Sequence, residues 1–194
     1  MSLLRRGFKT WCENAAHGHR RELNLDPFAA LDPRLLAVAR GIKIWVPREV
    51  PDLSAAALHQ LTKKDPSGWL AVTICIEDML LIIVNDEHSV ERQNNSIMHE
   101  LSHLLLEHKP AQVFVSSTGQ MLLNEYDPVQ EEEANCLSGT LLVPRDALLR
   151  TLGGEYDVSA AAAHFRVTTD LLRMRINLTG VDKQLVGRRQ CLTR

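Results

Sequence analysis

The stretch His99-Glu100-Leu101-Ser102-His103 decides the fold of this chain of 194 residues. Residues four positions apart on a helix lie on one face, so His99 and His103 can bind one Zn²⁺ while Glu100 faces a water molecule on that ion. Zinc lowers the pKa of such a water and polarises a carbonyl, and a neighbouring glutamate can then act as general base. The pattern therefore predicts the metal site of a hydrolase, with Glu100 as its catalytic residue.

The simpler alternative is a pair of surface or core histidines that happen to have a glutamate between them. The flanking residues Ile97-Met98 and Leu104 to Leu106 make the helix apolar nearly all round, which predicts that it is buried. Buried imidazoles and a buried carboxylate need partners, and a metal ion supplies them. We therefore favour the metal site over the alternative.

A catalytic zinc site of this kind needs a third protein ligand, commonly from a second helix. Three consecutive acidic residues, Glu131 to Glu133, follow a helix start at Asp127-Pro128, where Asp is a good N-cap and Pro suits the first turn. We predict Glu131 as the ligand and keep Glu133 as the reserve candidate. The alternative is that these carboxylates simply complement the helix dipole and face water.

The face of this second helix that carries Glu131 also carries small or polar residues. Ala134 and Ser138 would allow a close approach to the helix of the two histidines. Asn135 lies one turn after Glu131, and we predict that it donates a hydrogen bond to a ligand histidine. For stabilising the oxyanion, Tyr126 and His108 are the candidates that lie near the site in sequence.

Composition and charge fit one globular unit or one domain with a small appendage. The chain is 45% hydrophobic and has a formal net charge of −2, which gives no overall attraction to nucleic acid or to an anionic membrane. No apolar run has the length of a signal peptide core or a membrane span. We predict a cytoplasmic protein with no membrane contact, divided into a zincin-like domain with an N-terminal helix at 1–150 and a small helical segment at 151–194.

Cysteine usage also favours a reducing compartment. The four cysteines are scattered without a CxxC pair, and Cys75 and Cys136 lie in apolar runs. We predict reduced, buried thiols and no disulfide bonds.

The order of helical and extended patterns predicts an α+β fold, in which a small mixed or antiparallel sheet packs on the HExxH helix. Glu77-Asp78 separates two β-rich runs as a hairpin would, and we predict that the second run, Met79 to Val84, is the sheet edge that binds an extended substrate. The predicted helices are 3–16, 33–41, 54–64, one after Ser89 and 127–143, and the predicted strands are 42–46, 69–76, 79–84 and 112–115.

Two basic segments raise the question of nucleic-acid binding. Residues 159–180 have the apolar spacing of a helix-turn-helix, but a helical pair packed on a catalytic domain has the same spacing, and we favour packing. We interpret the N-terminal basic residues as a solvated helix face. The candidate phosphate contacts are Arg166, Arg173, Arg175, Lys183, Arg188, Arg189 and Arg194, and the N-terminal set is Arg5, Arg6, Lys9, Arg20 and Arg21.

Three stretches together resemble the ImmA/IrrE-like family of prokaryotic zinc peptidases. They are the strand pair ending in residues 82–85 (IIVN), residues 92–103 (RQNNSIMHELSH) and residues 131–144 (EEEANCLSGTLLVP). The resemblance covers about residues 41–180, and the stretch RRGFKTWCENAAHGHRRELNL resembles the leader helix of family members. Leu137-Ser138 stand where Phe-Ala is usual, and Ser102 stands where Gly or Ala is common.

The resemblance implies a gluzincin-type fold with His99 and His103 as metal ligands, Glu100 as catalytic base and Glu131 as third ligand. The resemblance also implies the activity of characterised relatives, which cleave a helix-turn-helix transcriptional repressor at a specific site and so induce stress-response or mobile-element genes. We therefore predict a zinc-dependent endopeptidase acting on such a repressor, although two imidazoles and a carboxylate also accept Mn²⁺ or another divalent ion.

Two other functional classes fit the same residues. The chain could be a non-catalytic, metal-bound or antitoxin-like module that binds a repressor without cutting it. It could also be a DNA-binding regulator with a vestigial peptidase domain.

Overall fold

A computed structural model describes residues 3–76, 79–108, 112–115, 121–124, 127–154 and 157–192. At 76, 112–115, 121–124 and 187–192 it describes the backbone alone. The fold is α+β, as predicted. The helices are α1 (Phe8–Glu22), α2 (Pro33–Ala39), α3 (Ala55–His59), α4 (Val90–Leu105), α5 (Pro128–Leu142), α6 (Arg145–Gly153), α7 (Val158–Phe165), α8 (Thr169–Thr179) and α9 (Val181–Leu192), with a 3-10 turn at Pro47–Glu49 and a π-helical turn at Gln60–Lys64.

The main sheet has three strands, β1 (Lys43–Trp45), β2 (Ala71–Ile76) and β3 (Met79–Val84), in the order β1-β3-β2. β1 runs parallel to β3 and β2 runs antiparallel to it, so the sheet is mixed. The prediction that Met79 to Val84 forms the edge is wrong, because β3 is the central strand. Residues 81–84 are all buried there, whereas Val72 on β2 is 45% exposed.

The segment between α4 and α5 contains a second pairing. β4 (Gln112–Val115) pairs antiparallel with β5 (Met121–Asn124). β4 lies at the predicted position, whereas β5 is absent from the predicted strands.

Helix starts follow the side chains that cap them. Ser89 Oγ accepts from Arg92 N at the start of α4, and Asp127 Oδ1 accepts from Val129 N at the start of α5. The first helix differs from its prediction of residues 3–16, because Gly7 has a φ of 84° and α1 begins only after it. α1 then continues to Glu22.

α4 packs on α5 across the middle of the molecule, and this contact forms the core around the histidine helix. Ile97, Met98 and Leu101 of α4 are fully buried, as is Ala134 of α5. The small side chain of Ala134 suits the predicted close approach of the two helices.

Two arginines from the predicted basic clusters lie inside the protein. Arg20 is fully buried and donates to the carbonyls of Ala16 and Ala29, so it is not part of a solvated face. Arg175 is also buried, donating to Glu13 at 2.9 Å and to the carbonyl of Val143.

Cys12 and Cys136 form no disulfide with each other, and their sulfur atoms lie 4.0 Å apart. Cys12 is buried and Cys136 is partly buried. Cys75 is exposed rather than buried, because it lies on the edge strand β2. Among the described residues, no helix combines the length and apolar character needed to span a membrane.

Candidate metal centre

His99 and His103 lie on the same face of α4, one turn apart, with their rings turned toward each other. Their Nε2 atoms are 3.1 Å apart, and the ring planes meet at 72°. Neither side chain is fully enclosed, with exposed fractions of 26% and 21%. The pair therefore presents two nitrogen lone pairs at one point that solvent can reach.

Glu131, in the first turn of α5, brings its carboxylate to this point. Its Oε2 lies 3.4 Å from Nε2 of His99, and its Oε1 lies 3.3 Å from Nε2 of His103. The three side chains offer ligand atoms within 4.8 Å of one another and could hold a metal ion. The structure thus brings the predicted set together, while each residue's role as ligand stays a prediction.

The spacing of these donors fits a small divalent ion. Zinc bonds of about 2.0–2.2 Å in a tetrahedron place neighbouring ligand atoms about 3.3–3.6 Å apart. The two Nε2 atoms are 3.1 Å apart, just below that range, and the distances of 3.4 and 3.3 Å from them to the two oxygens of Glu131 lie within it. Two imidazoles and one carboxylate leave a fourth corner for solvent or substrate, which is the arrangement of catalytic rather than structural zinc sites.

The environment of His103 keeps its imidazole neutral. Burial, reinforced by the nearby His99 and His108, lowers the pKa of His103 to about 4. A neutral ring has a free lone pair, which a metal ligand requires.

Glu100 lies beside the three donors and is held by the sheet. Thr73 Oγ1 on β2 donates to Glu100 Oε2 at 2.5 Å. Burial raises the pKa of Glu100 above its usual range, although the Thr73 hydrogen bond and His99 act in the opposite direction. Its role as general base stays a prediction, but the position and the raised pKa both suit that role.

Glu133, the reserve ligand, does not reach the convergence point. Its Oε2 lies 3.3 Å from Nε2 of His108, and Nδ1 of His108 lies 3.0 Å from Nδ1 of His103. His108 therefore lies behind the ring of His103, on the side away from Nε2, and not beside the reacting position. Tyr126, the other oxyanion candidate, lies outside the described residues.

Comparison with known families identifies this arrangement. The family model for the IrrE N-terminal-like domain, Peptidase_M78, matches residues 57–177, which is more than half of the chain. The chain belongs to this peptidase family. A search of curated proteins finds no match.

Membership of Peptidase_M78 confirms the family resemblance and points to a peptidase-type hydrolase with a metal-binding cluster. The matched region contains all of α4, α5, α6 and α7 and most of α8. The predicted boundary at residue 150 falls within α6 and stays a prediction.

A cleft of about 730 Å³ adjoins the metal centre of this Peptidase_M78 domain. Its walls are β2 with the residues before it, α4, α5 and the N-terminal half of α8. His99 and Glu100 of the candidate site line the cleft, as do Leu171 and Met174 of α8. The helix-turn-helix-like segment therefore contributes a wall of the cleft.

Asn135 lines this cleft and is exposed. Within the described part of the chain it forms no hydrogen bond with His99 or His103, and Nδ1 of His103 contacts His108 instead. Sequence reasoning also missed Thr73. The sequence could have indicated Thr73 only through its hydroxyl group, and only after β2 had been paired with β3 in the correct register.

Proposed function

We propose that this chain is a zinc-dependent endopeptidase that hydrolyses a peptide bond in a partner protein. The observation that carries the proposal is the convergence of His99, His103 and Glu131, with Glu100 beside them and a cleft in front. Zinc bound by these three residues would polarise the substrate carbonyl and lower the pKa of water.

Glu100 acts as the general base and then as the general acid. Its carboxylate takes the proton from the attacking water and later delivers it to the leaving amine. The raised pKa makes it a stronger base than a solvated glutamate, and Thr73 fixes its orientation through Oε2.

The segment to be cut lies along β2. This strand is an edge of the sheet, it supplies Thr73 to Glu100, and Ala71 at its start lines the cleft. An extended segment can add to such an edge through backbone hydrogen bonds, which align it without demanding much sequence. This assignment replaces β3, which is paired on both sides.

The proposed partner is a helix-turn-helix transcriptional repressor in the cytoplasm. The family resemblance supports this choice, since characterised relatives cleave such proteins. The reduced thiols of Cys12 and Cys136 agree with a reducing compartment.

Incubation with a purified helix-turn-helix repressor tests the proposal, and a repressor gene found beside the gene of this chain would be the first to try. We expect one defined cleavage product, which a chelator abolishes and added Zn²⁺ restores. Glu100→Gln should retain zinc and form no product, whereas Glu132→Gln should cut normally.

The other functional classes predict different results. A non-catalytic binding module would give a stable complex with the repressor, no product and no effect of Glu100→Gln. A DNA-binding regulator would bind a duplex in the presence of chelator. A stable complex without product contradicts the proposed activity, and so does duplex binding when no cleavage product forms in the presence of Zn²⁺.

A further inference from the structure

The end of α4 has a specific hydrogen-bonding pattern. Glu107 takes a left-handed conformation with a φ of 54°, His108 N donates to His103 O at 3.0 Å, and Glu107 N donates to Leu104 O at 3.1 Å. This is the Schellman pattern, which brings together the side chains of the third-last helical residue and the second residue after the cap. These two positions usually form an apolar contact.

In this protein both positions are histidines. The rings of His103 and His108 meet edge to face with centroids 5.0 Å apart, and their Nδ1 atoms are 3.0 Å apart. His108 is well enclosed, with a side chain only 7% exposed. Its other nitrogen, Nε2, lies 3.3 Å from Oε2 of Glu133 on α5.

The protons in this chain of contacts follow from ligand chemistry. A neutral imidazole has one N–H donor and one acceptor nitrogen. When Nε2 of His103 is the ligand atom, its proton must be on Nδ1, which donates to Nδ1 of His108. The proton of His108 is then on Nε2, which donates to Glu133.

We propose that His108 and Glu133 are positioning residues, which fix the tautomer and the ring orientation of His103 for metal binding. The inference rests on the proposed metal centre and adds to it. Because Glu133 is two residues from Glu131 on α5, the same contacts also tie the helix of the third ligand to the helix of the two histidines.

The test compares Zn²⁺ dissociation constants of full-length variants, measured by competition with a chromophoric chelator. His108→Phe keeps an aromatic ring without nitrogens, and we expect its dissociation constant to rise about 10–100-fold. His108→Gln keeps an acceptor and a donor and should recover part of the loss. The matched control is Glu132→Gln, one residue from Glu133 on the same helix, which should stay within about twofold of wild type.

A double variant tests whether His108 and Glu133 act through one chain of hydrogen bonds or independently of each other. Adding Glu133→Gln to His108→Phe should cause no further loss of affinity, since both changes interrupt one chain of hydrogen bonds. Urea unfolding of the metal-free proteins provides the second readout, because a purely structural role would lower stability and leave zinc affinity unchanged.

The inference is overturned if His108→Phe binds Zn²⁺ within about twofold of wild type, if the two losses add, or if Glu132→Gln loses as much. A wild-type protein that binds no zinc would overturn the proposed function as well. Normal wild-type binding with an unaffected His108→Phe would overturn this inference alone.

Discussion

At the scale of single residues, partial burial of the site shifts the pKa values of two ionisable groups in directions that suit metal binding and catalysis. Burial lowers the pKa of His103, so the ring stays neutral, and it raises the pKa of Glu100, so the carboxylate is a better base. Both shifts disfavour the charged form in the absence of an ion. The metal-free site is therefore expected to be less stable than a neutral version of it.

Glu100→Gln should stabilise the metal-free protein at pH 7.5. A carboxyl group whose pKa is raised by folding destabilises the folded state when it is ionised, so the variant's advantage exists at pH values above the folded pKa. The advantage should disappear as the pH falls and Glu100 takes up a proton. Thermal unfolding with chelator should show a Tm higher by about 2–4 °C for each kcal/mol relieved.

The pH series provides the control for this prediction. Glu132→Gln, on α5, should give no comparable gain. A Glu100→Gln protein that is less stable than wild type at pH 7.5, or whose gain grows toward low pH, would contradict the assigned environment of Glu100.

At the scale of elements, the end of α4 decides where His108 lies. A residue with a side chain in the left-handed region is strained, and Glu107 occupies that region with a φ of 54°. Glu107→Gly should therefore stabilise the protein by about 0.5–1 kcal/mol in urea unfolding. Glu107→Ala, which keeps a Cβ, should change stability little, and a destabilised Glu107→Gly would contradict this account of the helix end.

Helix starts were predictable because each depends on a local signal. Ser54, Ser89 and Asp127 cap the helices that follow them, and each accepts a backbone N–H in the first turn. The approach of His99 to His103 was predictable for the same reason, since helical spacing puts the two rings on one face of α4.

Strand order was not predicted, although the sequence contains a signal for it. Residues 79–84 (MLLIIV) are a continuous apolar run, which is typical of a strand buried on both faces. β2 includes the exposed residues Val72 and Cys75, as an edge strand can. We assigned the sheet edge to the wrong partner of the hairpin, because the parallel pairing of β3 with β1 is a long-range contact that local patterns do not encode.

The position of His108 was harder to predict. The Schellman end of α4 requires a left-handed residue, and glycine is the usual sequence signal for it. Glu107 carries no such signal, so the contact between His103 and His108 emerges only from the folded chain.

At the scale of the whole molecule, Arg175 joins three helices that are far apart in sequence. From α8 it donates to Glu13 on α1 and to the carbonyl of Val143 at the end of α5, and its side chain is 5% exposed. Removing one partner of a buried ion pair leaves the other without compensation. The C-terminal helices are thus fixed to the metal-binding part of the protein.

Arg175→Ala should destabilise the protein by about 3 kcal/mol in urea unfolding. The matched control is Arg173→Ala, because Arg173 lies on the same helix with a side chain 66% exposed and should change stability by less than about 0.5 kcal/mol. Equal effects of the two substitutions would contradict the role of Arg175 in joining α8 to α1 and α5.

The difference in exposure between Arg173 and Arg175 decides which arginines should be substituted to test DNA binding by residues 159–180. Arg166 and Arg173 have side chains that are 66% exposed, so they remain available to a phosphate backbone. Arg175 does not, because its guanidinium is buried against Glu13. A gel-shift experiment should therefore substitute Arg166 and Arg173, since loss of Arg175 would disturb the fold.

The central claim is that one divalent ion is held by side chains from α4 and α5. Elemental analysis of never-chelated protein measures this most directly. We expect about one metal ion per wild-type chain and per Glu132→Gln chain, and far less in Glu131→Gln. Wild-type protein without metal, even after reconstitution with Zn²⁺, or a Glu131→Gln protein with a full complement of metal, would contradict the account.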